Sequence, residues 1–129
     1  MPPKSPSFDY KILYIEDDES NSSLMKRVLE AAGYRFLSAP NGSLGLSEAH
    51  RERPDLILLD LYMPDISGHE VARLLRRMTY TKDIPILVIS ASQYPHDITL
   101  SQQNGCNGYI SKPIDIDLIS QQVSAFLQS

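Results

Sequence analysis

Asp60 closes the run Leu56-Ile57-Leu58-Leu59, and its carboxylate is the first residue in the chain that asks for a chemical explanation. A charged oxygen at the end of a wholly apolar stretch is costly unless something compensates it. An aspartate that caps the next helix, or pairs with a lysine, would be the bland explanation. Three more short apolar runs end in polar groups. Lys11 to Ile15 leads into Glu16-Asp17-Asp18-Glu19, Pro85 to Ile89 leads into Ser90, and Tyr109-Ile110-Ser111 leads into Lys112-Pro113. If these runs are parallel strands, their ends share one edge, and that edge carries three carboxylates, a hydroxyl and an ammonium. Three carboxylates that close repel one another, and one holds its proton unless a cation intervenes. A hard divalent ion such as Mg²⁺ takes oxygen ligands and uses one or two carboxylates, water and phosphate oxygens. A carboxylate set beside such an ion, a hydroxyl and a lysine has what an aspartyl nucleophile needs to accept a phosphoryl group.

The elements that must position these groups follow from periodicity. The run from Ile57 to Leu59, bounded by Pro54 and Pro64, is too apolar for an edge and too short for a helix, so it reads as a strand buried on both faces. Strands are also expected at Lys11–Ile15, Arg35–Ala39, Pro85–Ile89 and Tyr109–Ser111. Between them lie helical patterns. Leu24, Met25, Val28, Leu29 and Ala32 follow a cap at Ser20 or Asn21 and stop at Gly33. Pro40-Asn41-Gly42 makes a turn, and Leu44, Leu46 and Ala49 mark a second helix. Val71, Leu74, Leu75 and Met78 mark a third, with Arg73, Arg76 and Arg77 expected to face water. The stretch from His96 to Asn104 has only Ile98 and Leu100 as apolar anchors. Ile116, Ile119, Val123, Phe126 and Leu127 trace a closing amphipathic helix. Strand and helix alternate five times, which implies a five-stranded parallel sheet, doubly wound, with right-handed crossovers and helices on both faces.

A chain of 129 residues holds one domain with a sizeable core. We place it at residues 10–129, after a Pro/Ser-containing leader or linker at 1–9 that is expected to be flexible. Net charge −4 argues against nucleic acid as a direct partner. A single cysteine, Cys106, fits packing and a reducing compartment. With no apolar run of transmembrane length and no signal peptide, the expectation is a cytoplasmic protein without a membrane partner. His50, His69 and His96 lack mutual ligand spacing and are expected at the surface.

Taken together, four pieces make the chain resemble the receiver domain of two-component response regulators, a chemotaxis-regulator-like phosphoacceptor domain with a flavodoxin-like (βα)5 fold. They are Ile-Glu-Asp-Asp after the first strand, Leu-Asp-Leu-Tyr-Met-Pro-Asp-Ile-Ser-Gly around Asp60, Val-Ile-Ser-Ala at Ser90, and Gly-Tyr-Ile-Ser-Lys-Pro at Lys112. The resemblance covers about residues 10 to 128. It implies that Asp60 is the phosphoacceptor and that Glu16 and Asp17 hold Mg²⁺ with Asp60 and the backbone carbonyl of Tyr62. Ser90 becomes the switch hydroxyl, Lys112 the phosphate-binding lysine, and Tyr109 the aromatic that changes rotamer on activation. A cis peptide is implied before Pro113. A bulky Tyr62 side chain would crowd water and slow hydrolysis. The implied donor is a sensor histidine kinase or histidine phosphotransfer protein. The implied output is a protein target, or an output domain beyond this chain, reached through residues 95–128. Such a domain is not an enzyme proper; it catalyses only its own phosphorylation and dephosphorylation.

Other readings of the same residues are bland one by one. Tyr109 would serve as an ordinary half-buried aromatic, Lys112 as a solvated charge before a turn proline, Ser90 as a helix cap, and Glu16–Glu19 as an acidic first turn. A flavodoxin-type cofactor binder shares the architecture but needs a Ser/Thr/Gly-rich phosphate loop where this chain has Glu-Asp-Asp-Glu. A haloacid-dehalogenase-type phosphatase expects a second acid two residues after its nucleophile, where this chain has Tyr62. An adaptor receiver that signals without phosphorylation is the remaining alternative.

Overall fold

The computed structural model describes residues 10–92 and 94–127, so the expected leader at 1–9 and the last two residues of the expected domain lie outside the described residues. Five strands and five helices alternate: β1 (Lys11–Ile15), α1 (Glu19–Ala31), β2 (Arg35–Ala39), α2 (Gly42–Glu52), β3 (Leu56–Asp60), α3 (Gly68–Arg77), β4 (Ile86–Ser90), α4 (Pro95–Gln103), β5 (Gly108–Ser111) and α5 (Ile119–Leu127). The strands form one sheet in the order β2-β1-β3-β4-β5. Every neighbouring pair is parallel. The doubly wound sheet expected from the alternation is therefore present.

Period-two alternation explains how the sheet is covered on both sides. Ile12, Tyr14, Leu56, Leu58, Leu87 and Ile89 pack with Met25 and Leu29 of α1 and Ile119 and Val123 of α5. The intervening residues Leu13, Ile15, Ile57, Leu59 and Ile86 pack with Ala49 of α2 and Val71, Ala72 and Leu75 of α3. Leu56 to Leu59 are wholly buried. Each such side chain is worth about 1.5–3 kcal/mol in removed apolar surface, so β3 is held from both faces. Asp60 sits at the end of this clamped strand, and the clamp is what makes its position stiff.

Local departures from the sequence reading have specific causes. Helix α1 is capped by Asp18, not by Ser20 or Asn21; the Asp18 carboxylate accepts hydrogen bonds from Ser20 N at 2.8 Å and Asn21 N at 3.3 Å. Leu24 is 41% exposed, and Ile116 is 48% exposed in the segment preceding α5, so neither belongs to the core. Arg76 faces water only in part. It is half-buried on α3 and donates to the carbonyls of Gly105 and Ile84 and to Asn107 Oδ1 at 2.8–3.1 Å, tying α3 to the approaches of β4 and β5. Burial holds its guanidinium below the usual arginine range. Helix α4 turns a polar side inward: its buried residues are Asp97 and Ser101. Cys106 is half-buried against the α2/α3 core, and desolvation pushes its thiol up to about 11, which fits packing.

Candidate functional site

Glu16, Asp17 and Asp60 converge at the C-terminal edge of β1 and β3. One carboxylate oxygen from each lies within 4.8 Å of the others. Glu16 and Asp60 are almost fully buried, whereas Asp17 is exposed. The register explains the meeting: Ile15 pairs with Leu59, so the residues following β1 stand beside the last residue of β3. Lys112, just past β5, reaches back across the sheet edge. Its Nζ lies 3.3 Å from Glu16 Oε2 and 3.8 Å from Asp60 Oδ2. Asn21 on α1 donates to Glu16 Oε1 at 2.8 Å. The buried pair is thus met by one ammonium and one amide, with Tyr62 N donating weakly to Asp60 Oδ1 at 3.4 Å.

One ammonium does not balance two buried carboxylates. Desolvation, followed by the neighbouring Glu16, pushes the Asp60 carboxyl up to about 7, with Lys112 pulling the other way. An acid raised by burial and a like charge marks a place built for added positive charge. The three carboxylates form a hard oxygen donor set on one open edge, and this fits a small divalent cation. Tyr14 lies two residues before Glu16 on the same face of β1. Its hydroxyl is buried, and burial and the nearby Glu16 carboxylate push its ionisation upward.

The remaining expected site residues fall on the same edge. Asp60 pairs with Ile89 and Ser90 with Ser111, so Ser90 stands one position past the partner of Asp60. Ser90 is fully buried, and its Oγ accepts from Ser92 N at 3.1 Å. Tyr109 is half-buried, and its hydroxyl donates to the Ser92 carbonyl at 2.9 Å. The Lys112–Pro113 peptide is cis. Gly68 opens α3 so close to β3 that a Cβ there would meet the Asp60 carbonyl oxygen at 2.4 Å. Only glycine lets the helix start at that distance from the site.

A second polar cluster, not foreseen in the sequence, borders this edge. Asp97 is 9% exposed. It accepts from Tyr62 Oη at 2.6 Å and Ser92 Oγ at 2.5 Å, and its other oxygen lies 3.1 Å from His69 Nε2. The Ser92 and Tyr62 hydrogen bonds, with His69 beyond them, pull the Asp97 carboxyl down to about 2. His69 is accordingly not a surface residue; Asp97 draws it in, and its Nδ1 is buried. The cluster joins residues from the β3–α3 loop, α3, the β4–α4 loop and α4, and no spacing along the chain announces it. The one available signal was negative: Asp97 and Ser101, one helical turn apart, occupy the face of α4 where apolar residues were missing.

Residues 12–124 match the model of the response regulator receiver domain family. The chain belongs to this family. Among its relatives, the polar-differentiation response regulator DivK of Brucella anthropi is 34% identical over 116 residues, covering 90% of this chain and 94% of the relative. Among solved structures, chemotaxis protein CheY4 of Vibrio cholerae has a TM-score of 0.86 at 26% identity, covering 90% of this chain and 97% of that one. The receiver domain of a Pseudomonas aeruginosa sensor histidine kinase, solved with magnesium coordinated in its active-site cleft, has a TM-score of 0.86 at 27% identity, covering 93% and 98%. The protein is thus a receiver domain of two-component signalling, with the flavodoxin-like fold its strand order implies. Receiver domains bind Mg²⁺ at an acidic pocket and interact with histidine kinases and downstream targets, and this receiver carries such an acidic cluster. Among its described residues, no helix is long and apolar enough to cross a membrane.

Proposed function

We propose that Asp60 accepts the phosphoryl group, with Mg²⁺ held by Glu16, Asp17, Asp60 and the backbone carbonyl of Tyr62. The observation that carries this reading is the meeting of three carboxylates within 4.8 Å, with Lys112 Nζ 3.8 Å from Asp60. In the reaction one Asp60 Oδ bonds to phosphorus while the bond from phosphorus to the donor's histidine nitrogen breaks. The leaving imidazole takes the electron pair of that bond. Asp60 must be ionised to attack, and its raised carboxyl makes the neighbouring positive charges a condition of reactivity. Mg²⁺ held by these residues would supply positive charge that offsets the charge on the phosphoryl oxygens. Lys112 pairs with one of those oxygens; its contacts to Glu16 and Asp60 support this role. Ser90 donates its hydroxyl to another once its loop moves inward, and Tyr109 changes rotamer in response.

The donor is a sensor histidine kinase or a histidine phosphotransfer protein, and the setting is the cytoplasm. The receiver unit is residues 10–129, with 1–9 as leader or linker, and it catalyses only its own phosphorylation and dephosphorylation. Output passes through α4, β5 and α5. The sparse apolar burial of α4 suits an element that shifts at low cost. Incubation with acetyl phosphate, or with beryllofluoride and Mg²⁺, is expected to modify or occupy the wild type and leave Asp60→Asn unchanged. Equal labelling of Asp60→Asn would overturn the assignment.

A further inference from the structure

Tyr62 touches both the phosphoacceptor and helix α4. Its backbone N–H points to Asp60 Oδ1 at 3.4 Å, and its hydroxyl donates to Asp97 Oδ2 at 2.6 Å. Tyr62 as a whole is 58% exposed, so it is the two polar ends, and not burial, that fix its place. Asp97 in turn has nearly all its acceptor capacity engaged, by Tyr62, Ser92 and His69. Its carboxylate sits in the first turn of α4, where the helix N-terminus favours negative charge. Asp97 is therefore an anchoring point through which a displacement of Tyr62 reaches α4.

From this geometry we infer that Tyr62 and Asp97 form a second coupling route from Asp60 to α4, parallel to the path through Ser90 and Tyr109. The two routes meet at Ser92 but are separable. The Ser90 path uses Ser92 N and the Ser92 carbonyl, bonded to Ser90 Oγ and Tyr109 Oη. The Tyr62 path ends on the side chain of Asp97, which holds Ser92 only by its Oγ. When Asp60 is modified, its Oδ1 gives up or redirects the contact with Tyr62 N. The β3–α3 loop then repositions, and the Tyr62 hydroxyl pulls on or releases Asp97. His69, extending from α3 to the other carboxylate oxygen, limits how far Asp97 moves. The coupling element has two arrangements, Asp97 bonded to Tyr62 or free of it, and Asp60 biases which is populated. This inference rests on Asp60 being the phosphoacceptor.

The test uses the full chain with beryllofluoride and Mg²⁺ as the probe, read by amide chemical shifts. In Ser90→Ala, shifts across residues 96–103 and at the His69 amide are expected to persist in part. In Ser90→Ala combined with Tyr62→Phe they are expected to fall at least about threefold, while shifts at Asp17 and Leu61 report that the site is still occupied. Equal α4 shifts in the two variants, or their complete loss already in Ser90→Ala, would overturn the second route. A wild type with no response even at Asp17 and Leu61 would instead overturn the phosphoacceptor reading. The coupling is then judged in the unliganded protein by a double-mutant cycle between Asp60→Ala and Asp97→Ala, which remove the oxygens that Tyr62 N and the Tyr62 hydroxyl donate to. A departure from additivity of at least about threefold in the folding equilibrium, abolished by Tyr62→Phe, supports the route; additivity in the Tyr62 background refutes it.

Discussion

Replacing Asp60 by asparagine is expected to stabilise the metal-free protein, and to do so only where Asp60 is ionised. The side chain is 8% exposed, and burial with Glu16 alongside raises its carboxyl from 3.8 to about 7 despite Lys112 at 3.8 Å. The sign follows from proton counting. Between about pH 4 and pH 7 the folded protein holds a proton on Asp60 that the unfolded chain has lost, so stability falls as pH rises through that window. Each decade of differential proton affinity is worth about 1.4 kcal/mol, which sets a ceiling of about 4 kcal/mol above pH 7. Local relaxation lowers this to an expected gain of about 2–4 kcal/mol for Asp60→Asn at pH 8, shrinking toward zero near pH 4.5. Asparagine keeps the size of the side chain and an oxygen for Tyr62 N, so the change tests charge and not packing. Urea unfolding in the presence of EDTA, at half-unit steps from pH 4.5 to 8, measures the gap between the two proteins. Saturating Mg²⁺ is expected to narrow the gap at pH 8 by stabilising the wild type selectively. Two stability curves that run parallel across this range would refute the claim that Asp60 is a strained carboxylate.

Other changes test the parts that position the site. Glu16→Gln combined with Asp17→Asn is expected to weaken Mg²⁺ affinity at least about tenfold in a direct titration, and an unchanged affinity would move the ion elsewhere. Gly68→Ala puts a Cβ against the Asp60 carbonyl and Leu61 Cα at 2.4 and 2.6 Å, both backbone atoms. A loss of about 1–3 kcal/mol in chemical denaturation is expected, with slower acetyl-phosphate labelling of Asp60. Arg76→Ala removes the donors that hold the Gly105 and Ile84 carbonyls; about 1–3 kcal/mol of stability should be lost, and amides around Gly105 and Asn107 should exchange faster.

The apolar runs at Ile12–Ile15, Leu56–Leu59 and Ile86–Ile89 determine the sheet by themselves. Runs this short and this apolar find enough burial only between two layers of helices, so strand identity and parallel order were legible before any coordinates. The acids, hydroxyl and lysine were legible for the same reason, because parallel strands deliver their C-terminal ends to one edge. What the chain order could not convey was the pairing among those groups. That Lys112 reaches Glu16 as well as Asp60, and that Asn21 serves Glu16 while Asp18 caps α1, depends on rotamers and on distances across the sheet edge. Arg76 departs from its pattern because a side chain on the polar side of α3 is fully exposed only if nothing packs there, and the turns before β4 and β5 do. Asp97 shows the limit most clearly. Its partners Tyr62, His69 and Ser92 come from three other segments, and a single buried carboxylate draws them together because unpaired it would be too costly to bury. Local pattern determined which strands are buried and which sheet edge gathers the acids, the hydroxyl and the lysine. Tertiary structure decided which polar atoms meet, since hydrogen bonds of 2.5–3.4 Å are fixed by geometry that no spacing along the chain encodes.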